Sequence, residues 1–349
     1  MRIEVRDFGV TTNGEQVKQY VLVNRKGMKA VLLNYGAVIT ELHVPDGEGK
    51  LRDVVWGYES IEGYEKNNPG FGSVIGRNAN RIGNAQVVIG EETFELQKND
   101  GENNLHSGTP GYNKRLWRGI IADDNKVEFT LMSPDGDQGF PGNAEVKVSY
   151  TLSDENELRI SYEAKADQDT IFNMTNHSYF NLEGQESDSV LNHEVWIDAD
   201  AFTPTDQELI PTGEICLVEG TPMDFRTFHS LGERIDMEYE SLKLAGGYDH
   251  NYVLNHKEGY SLCCKLKSEK SQIWMEVYTD LPGMQLYSGN FLDKEAGGKD
   301  GKVHEKRSAV CFETQYFPDA VHHENFQSTI LKAGETYKTV TGYKFGNSK

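Results

Sequence analysis

Alternation with a period of two runs through most of this chain and limits what it can fold into. Val146, Val148, Tyr150 and Leu152 alternate with Glu145, Lys147, Ser149 and Thr151. After the turn-forming residues 153–156, Leu158, Ile160, Tyr162 and Ala164 alternate with Arg159, Ser161 and Glu163. Successive side chains of a strand point to opposite faces, so the two runs predict a hairpin with one buried face. Similar signals recur at 17–24, 29–44, 85–97, 119–132, 170–182, 193–199, 251–255, 260–267, 271–279, 284–291, 308–317 and 335–345, punctuated by Asn, Asp and Gly clusters of turn type. Helical signal is confined to one short candidate, 225–235, with Asp224 placed to cap it. Many strands, short turns and few helices predict an all-β, antiparallel architecture, a sandwich or a barrel.

With 37% hydrophobic and 26% charged residues the chain can bury a substantial core, which argues against disorder. No linker, repeat or low-complexity tract interrupts it, and a single domain over 1–349 is the simplest organisation. No apolar run approaches the roughly 18 residues that span a bilayer, and the N-terminus lacks a signal-like apolar region. The formal net charge of −20 repels phosphate backbones and anionic lipid, so neither nucleic acid nor membrane is an expected partner. A neutral small molecule suits that field better. Four cysteines without C-x-x-C spacing read as ordinary thiols of a reducing compartment, and a cytoplasmic location is expected. Residues 70–76 have the wrong spacing for a dinucleotide fingerprint, and Gly49-Lys50 runs into Leu51 rather than a phosphate-loop Ser or Thr. The ten histidines form no zinc spacing. No metal and no organic cofactor is expected.

Two stretches carry residues suited to chemistry. In 171–180 the odd positions are Ile171, Asn173, Thr175, His177 and Tyr179, a composition for a cleft wall, although His177 alone also fits a satisfied buried histidine. In 308–317, Val310 and Phe312 share one face, while Ala309, Cys311, Glu313, Gln315 and Phe317 share the other. Glu313 there is either paired, desolvated into a competent base, or a surface glutamate, and the residues leave all three open. Three polar clusters (Asn78 to Arg81, Asn103 to Gly108, Gly246 to Tyr252) hold the Asn, Arg, His, Asp and Tyr that bind polyhydroxylated ligands, but each could equally serve a turn. Long loops at 66–81, 100–116, 200–250 and 293–307 are where a site is expected.

Seven motifs in order resemble the aldose 1-epimerase (galactose mutarotase) family: Leu33-Asn-Tyr-Gly-Ala37, Gly76-Arg-Asn-Ala-Asn-Arg-Ile82, Asn104-Leu-His106, Thr175-Asn-His-Ser-Tyr-Phe-Asn-Leu182, Gly247-Tyr-Asp-His-Asn-Tyr252, Pro282-Gly-Met-Gln-Leu-Tyr-Ser-Gly-Asn-Phe291, and Glu313-Thr-Gln with Pro318-Asp-Ala320. The resemblance implies a large antiparallel β-sandwich of the galactose mutarotase-like kind with few short helices. It implies an enzyme that interconverts the α and β anomers of free aldohexoses such as galactose and glucose, acting without a cofactor as a monomer or homodimer. His177 matches the family's general acid and Glu313 its general base. Asn80, Arg81, His106, Ser178, Tyr179, Asp249 and Gln285 match sugar-site residues. Ser107, where the family usually has glycine, and His322, where asparagine is common, depart from the pattern. Two rival functions remain on the residues alone: a glycoside hydrolase using Asp249 and Glu313 as its carboxylates, or a non-catalytic sugar-binding module. At unperturbed pKa values of about 4.3 and 6.5, the pair would rest as a carboxylate and a partly protonated imidazole.

Overall fold

In the computed structural model, which describes residues 2–255 and 259–348, Ala144–Leu152 and Glu157–Ala166 pair antiparallel with Val148 opposite Tyr162 and Tyr150 opposite Ile160. The expected hairpin supplies the third and fourth strands of a nine-stranded sheet. Its order runs Arg118–Asp123, Lys126–Ser133, the hairpin, Thr336–Asn347, Ile273–Thr279, Ser261–Lys267, Glu194–Ile197 and His229–Ser230. Every pairing within it is antiparallel.

Two five-stranded sheets accompany it. One is the meander Arg2–Val10, Gln16–Val23, Lys29–Leu33, Ile39–Pro45 and Leu51–Asp53. The other runs Cys216–Leu217, Ala199–Thr203, Asp249–Leu254, Gly283–Tyr287 and Cys311–Gln315. Alternation divides that last sheet's side chains between two jobs. Tyr252, Met284, Leu286 and Phe312 join an apolar cluster that reaches from Tyr20 to Phe345 and takes in Tyr150, Ile160, Tyr162, Val277 and Tyr343 of the large sheet. Burying each such side chain contributes roughly 1.5–3 kcal/mol. Two polar ties cross the same interface, from the Tyr343 hydroxyl to the Phe312 carbonyl at 3.2 Å and between the Thr314 and Thr341 hydroxyls at 2.5 Å. The sheet's other face is left to carry a site.

Three expectations are corrected. The strand signal at 170–182 survives only as Thr170–Ile171 and Thr175–Asn176. Side-chain amides take the backbone there in place of a ladder: Asn173 clasps the Tyr316 backbone through both amide atoms, Asn176 donates to the Gly72 carbonyl, and Asn181 donates to the Ser308 carbonyl. The signal at 29–44 divides into two strands about a turn in which Gly36 and Ala37 adopt φ of 66° and 47°. The helix expected at 225–235 shrinks to Leu231–Arg234: the Asp224 carboxylate accepts from both the backbone N–H and the guanidinium of Arg226, but the chain beyond it passes through the short strand His229–Ser230 before the helix begins. Short helices Ile61–Lys66 and Glu240–Ala245 carry too few turns to show a period in sequence. Among the described residues no helix is long and apolar enough to cross a membrane.

Candidate active site

The free face of the sheet ending in Cys311–Gln315 presents two cross-strand rows. Asn251 lies opposite Gln285 and Gln285 opposite Glu313; Asp249 lies opposite Tyr287 and Tyr287 opposite Cys311. Because Phe312 and Thr314 turn into the core, Glu313 and Cys311 turn the other way. A chain of amides runs along these rows. Gln315 Nε2 donates to Gln285 Oε1 at 3.0 Å, and Gln285 Nε2 donates to Asp249 Oδ1 at 2.7 Å. Gln285 thus stands behind Asp249 and fixes its carboxyl.

Loops close the space above. His177 is held by its own backbone, its N–H on the Ser73 carbonyl and its C=O accepting from Gly72. Its ring is enclosed by three others: Tyr179 stacks at 5.0 Å and 20°, while His106 and Tyr287 stand nearly perpendicular at 5.4 and 6.2 Å. The Tyr179 hydroxyl is in turn anchored on the Pro69 carbonyl. His106 sits in a tight turn with φ of 52°, followed by Ser107 at 67°. Its N–H donates to the Asn80 carbonyl, and the Asn80 N–H donates back to its Nδ1 at 3.0 Å. Beside it, Arg81 Nε is paired with Asp100 at 2.7 Å. The half-open cavity so formed has a volume of about 180 Å³, bounded by Asn80, Arg81, His106, His177, Asp249 and Glu313 among others. That is about six waters' share of liquid volume, the scale of one sugar ring.

Inside it His177 Nε2 lies 3.5 Å from Glu313 Oε1, with the two residues 6% and 2% exposed. Burial lowers His177 to about 4. It raises Glu313 well above the carboxylate range, with the Asp249 charge adding and the Arg81 guanidinium opposing. Asp249 is likewise raised, by burial first, against Arg81 and the Gln285 hydrogen bond. His106 falls well below its usual value through burial and the neighbouring His177. The charges expected for a solvated pair are therefore corrected: in the free protein burial favours a protonated Glu313 beside a neutral imidazole.

His106, His177 and Glu313 bring ligand-type atoms within 4.8 Å of one another, a set whose residue types would suit zinc. The wiring of His106 opposes that use. A ligating histidine ordinarily donates its other ring N–H to a support, whereas His106 Nδ1 accepts from Asn80 and its proton is left on Nε2. The ring meets the cavity as a hydrogen-bond donor.

Of the sequence-derived site residues, seven bound this one cavity: Asn80, Arg81, His106, His177, Tyr179, Asp249 and Glu313. Ser178 and Gln285 do not. The Ser178 hydroxyl points to the other side of its backbone, donating to Asn176 Oδ1 at 2.6 Å, and Gln285 is behind Asp249. Ser107 is also turned away, its hydroxyl accepting from the Asn78 N–H and donating to the Asn78 carbonyl. His322 is bound to Asp319 at 2.6 Å. Residues that the reading did not single out also bound the cavity, namely Asn68, Pro69, Leu105, Tyr287 and Phe291. Tyr287 was within reach, since it follows Gln285 by two on a strand; Asn68 and Pro69 arrive by a loop and carry no periodic signal.

The sequence profile of the aldose 1-epimerase family matches residues 18–344. The chain belongs to the aldose 1-epimerase family. It is 43% identical over 318 residues to galactose mutarotase of Bos taurus, covering 91% of each chain. It is 36% identical to aldose 1-epimerase of Escherichia coli K12, covering 95% of this chain and 96% of that one. Among solved structures, galactose 1-epimerase from Lactobacillus acidophilus superposes over the whole of both chains with a TM-score of 0.88 at 28% identity. An aldose epimerase homologue from C. elegans superposes with 0.87 at 32%, over 94% of this chain and 98% of the other. The fold is thus the antiparallel β-sandwich of the galactose mutarotase kind, and this aldose 1-epimerase family member is an isomerase-class enzyme that interconverts sugar anomers.

Proposed function

We propose that the enzyme opens and recloses the pyranose ring of free aldohexoses, galactose and glucose foremost, with Glu313 as base and His177 as acid. Glu313 takes the proton of the C1 hydroxyl as the bond from C1 to the ring oxygen breaks, and His177 delivers a proton to that oxygen. The products of this step are an aldehyde, a C5 hydroxyl, a protonated Glu313 and a neutral His177. Rotation about C1–C2 turns the other aldehyde face toward the C5 hydroxyl. The same two groups, run backwards, close the ring as the opposite anomer. Asp249, held by Gln285, and the His106 Nε2–H orient ring hydroxyls. Tyr287 and Phe291, stacked at 6.0 Å and 20°, offer an apolar wall to the sugar's C–H face.

The observation that carries this reading is the buried His177–Glu313 pair, 3.5 Å apart in a cavity the size of one ring. The same total proton count serves both halves of the cycle, and the protonation that burial favours is the one the open-chain half requires. Polarimetry of freshly dissolved α-galactose tests it. Glu313→Gln and His177→Asn are each expected to lower kcat by about 10²- to 10⁴-fold with an unchanged circular dichroism spectrum. Near wild-type rates in both variants would overturn the mechanism, and release of glucose from lactose would favour a hydrolase instead.

A further inference from the structure

The side of the His177 ring away from Glu313 meets a group that the reaction above leaves unused. Cys311 Sγ lies 3.6 Å from His177 Nδ1. Cys311 is wholly buried and precedes Glu313 by two residues on one strand, so both side chains rise from the same face. One strand thus touches both nitrogens of the same imidazole, Nδ1 through the thiol and Nε2 through the carboxyl.

We propose that Cys311 is a positioning residue for ring opening, its thiol engaging Nδ1 so that Nε2 stays turned on Glu313 and the sugar. The proposal rests on His177 being the proton carrier. A thiol suits this place because its sulfur is a weak, uncharged acceptor. When the imidazole carries a proton on each nitrogen, Nδ1–H rests on the sulfur. When Nε2 has given its proton to the ring oxygen, the remaining proton is on Nδ1 and still rests on the sulfur. The support therefore follows the ring through both halves of the cycle without gaining or losing a proton of its own. Burial, with the Glu313 and Asp249 charges adding, pushes the thiol well above its usual value, which keeps the sulfur an uncharged acceptor at working pH. A carboxylate in the same position would stabilise the imidazolium and make it a poorer donor to an ether oxygen. The stack on Tyr179 restrains the ring's plane; the thiol contact adds a restraint on its rotation within that plane.

Cys311→Ala and Cys311→Ser, made in the full chain with ¹⁵N-labelled histidine, separate positioning from packing. Cys311→Ala is expected to lower kcat about 10- to 100-fold, the range typical when a support behind a functional histidine is lost, with KM little changed. The His177 nitrogen resonances should move toward a mixture of tautomers in that variant. Cys311→Ser, whose hydroxyl oxygen also accepts from Nδ1–H, should recover most of the rate and the resonances. Unchanged kcat and resonances in Cys311→Ala would overturn the proposal, and so would equal losses in both variants, which packing alone explains. If Cys311→Ala fails to fold, wild type still decides: Nδ1 must resonate as a hydrogen-bonded nitrogen, and a free Nδ1 overturns the idea. A wild-type protein without mutarotation would overturn the proposed function, while the resonances would continue to report the thiol contact.

Discussion

In the proposed mechanism His177 and Glu313 share one exchangeable proton, and burial decides the pH range over which they keep it. Adding a second proton means charging His177, which burial opposes until about pH 4. Removing the last one means ionising Glu313, which burial and Asp249 oppose well above the carboxylate range. The active, singly protonated pair therefore persists from slightly acidic pH through neutrality, and its limits belong to the pair rather than to either residue. kcat/KM for α-galactose, which reports the free enzyme, should fall on the acid side only near pH 4. A polarimetric profile with an acid inflection at 6.5, the value of a solvated histidine, would refute this. The face of Glu313 was legible in sequence because alternation fixes which neighbours share a face, whereas His177 follows Thr175–Asn176 on a segment whose ladder is broken. The protonation of the pair was not legible, because it depends on side chains brought from distant segments, Tyr287 and Asp249 among them, that exclude water or add charge around it.

Elements built from regular alternation were readable, whereas those held by side chains binding backbone were not. The hairpin 144–166 announced its register; the segment 170–182 looked equally strand-like, yet its asparagines bind the main chains of distant segments and break the ladder. The turn at 106–108 is of this second kind. Ser107 departs from the family's glycine at a φ of 67°, a conformation that costs a side chain about 1 kcal/mol or more. Its hydroxyl offsets this with the two hydrogen bonds to Asn78, at 2.8 and 2.9 Å. Ser107→Ala keeps the strain and loses both bonds, so it should destabilise the protein by about 1–3 kcal/mol. Ser107→Gly loses the bonds but relieves the strain and should cost less than alanine. Urea unfolding of the two variants gives the order, and a glycine variant less stable than the alanine variant would refute the account. Because the hydroxyl faces Asn78 and not the cavity, neither substitution should alter the preference between galactose and glucose.

At the scale of the whole molecule, the site must be registered to the nine-stranded sheet, and Arg77 is the residue that does so from the loop carrying Asn80 and Arg81. Its guanidinium is fully buried. It donates to the hydroxyls of Ser133 and Thr170 and to the carbonyls of Ser133, Pro134, Pro141 and Gly142, at 2.7 to 3.1 Å. These acceptors belong to the connection between Lys126–Ser133 and Ala144–Leu152 and to the start of the segment that leads to His177. One side chain thereby joins the large sheet to both loops over the cavity. Composition and spacing do not separate Arg77 from Arg81, four residues on, because each is an arginine among asparagines; the family resemblance singled out Arg81 alone, and only the fold shows Arg77 buried among carbonyls while Arg81 lines the cavity. Lysine keeps the charge but has three donors in a different geometry, so Arg77→Lys leaves several buried acceptors unmet. Each costs about 1–3 kcal/mol, and the variant should lose at least about 3 kcal/mol of unfolding free energy. Its kcat should fall as well, since Asn80 and His106 are tied to the same loop. Denaturant unfolding and polarimetry on one preparation check both, and a variant within about 0.5 kcal/mol of wild type would show that the site is registered by something other than Arg77.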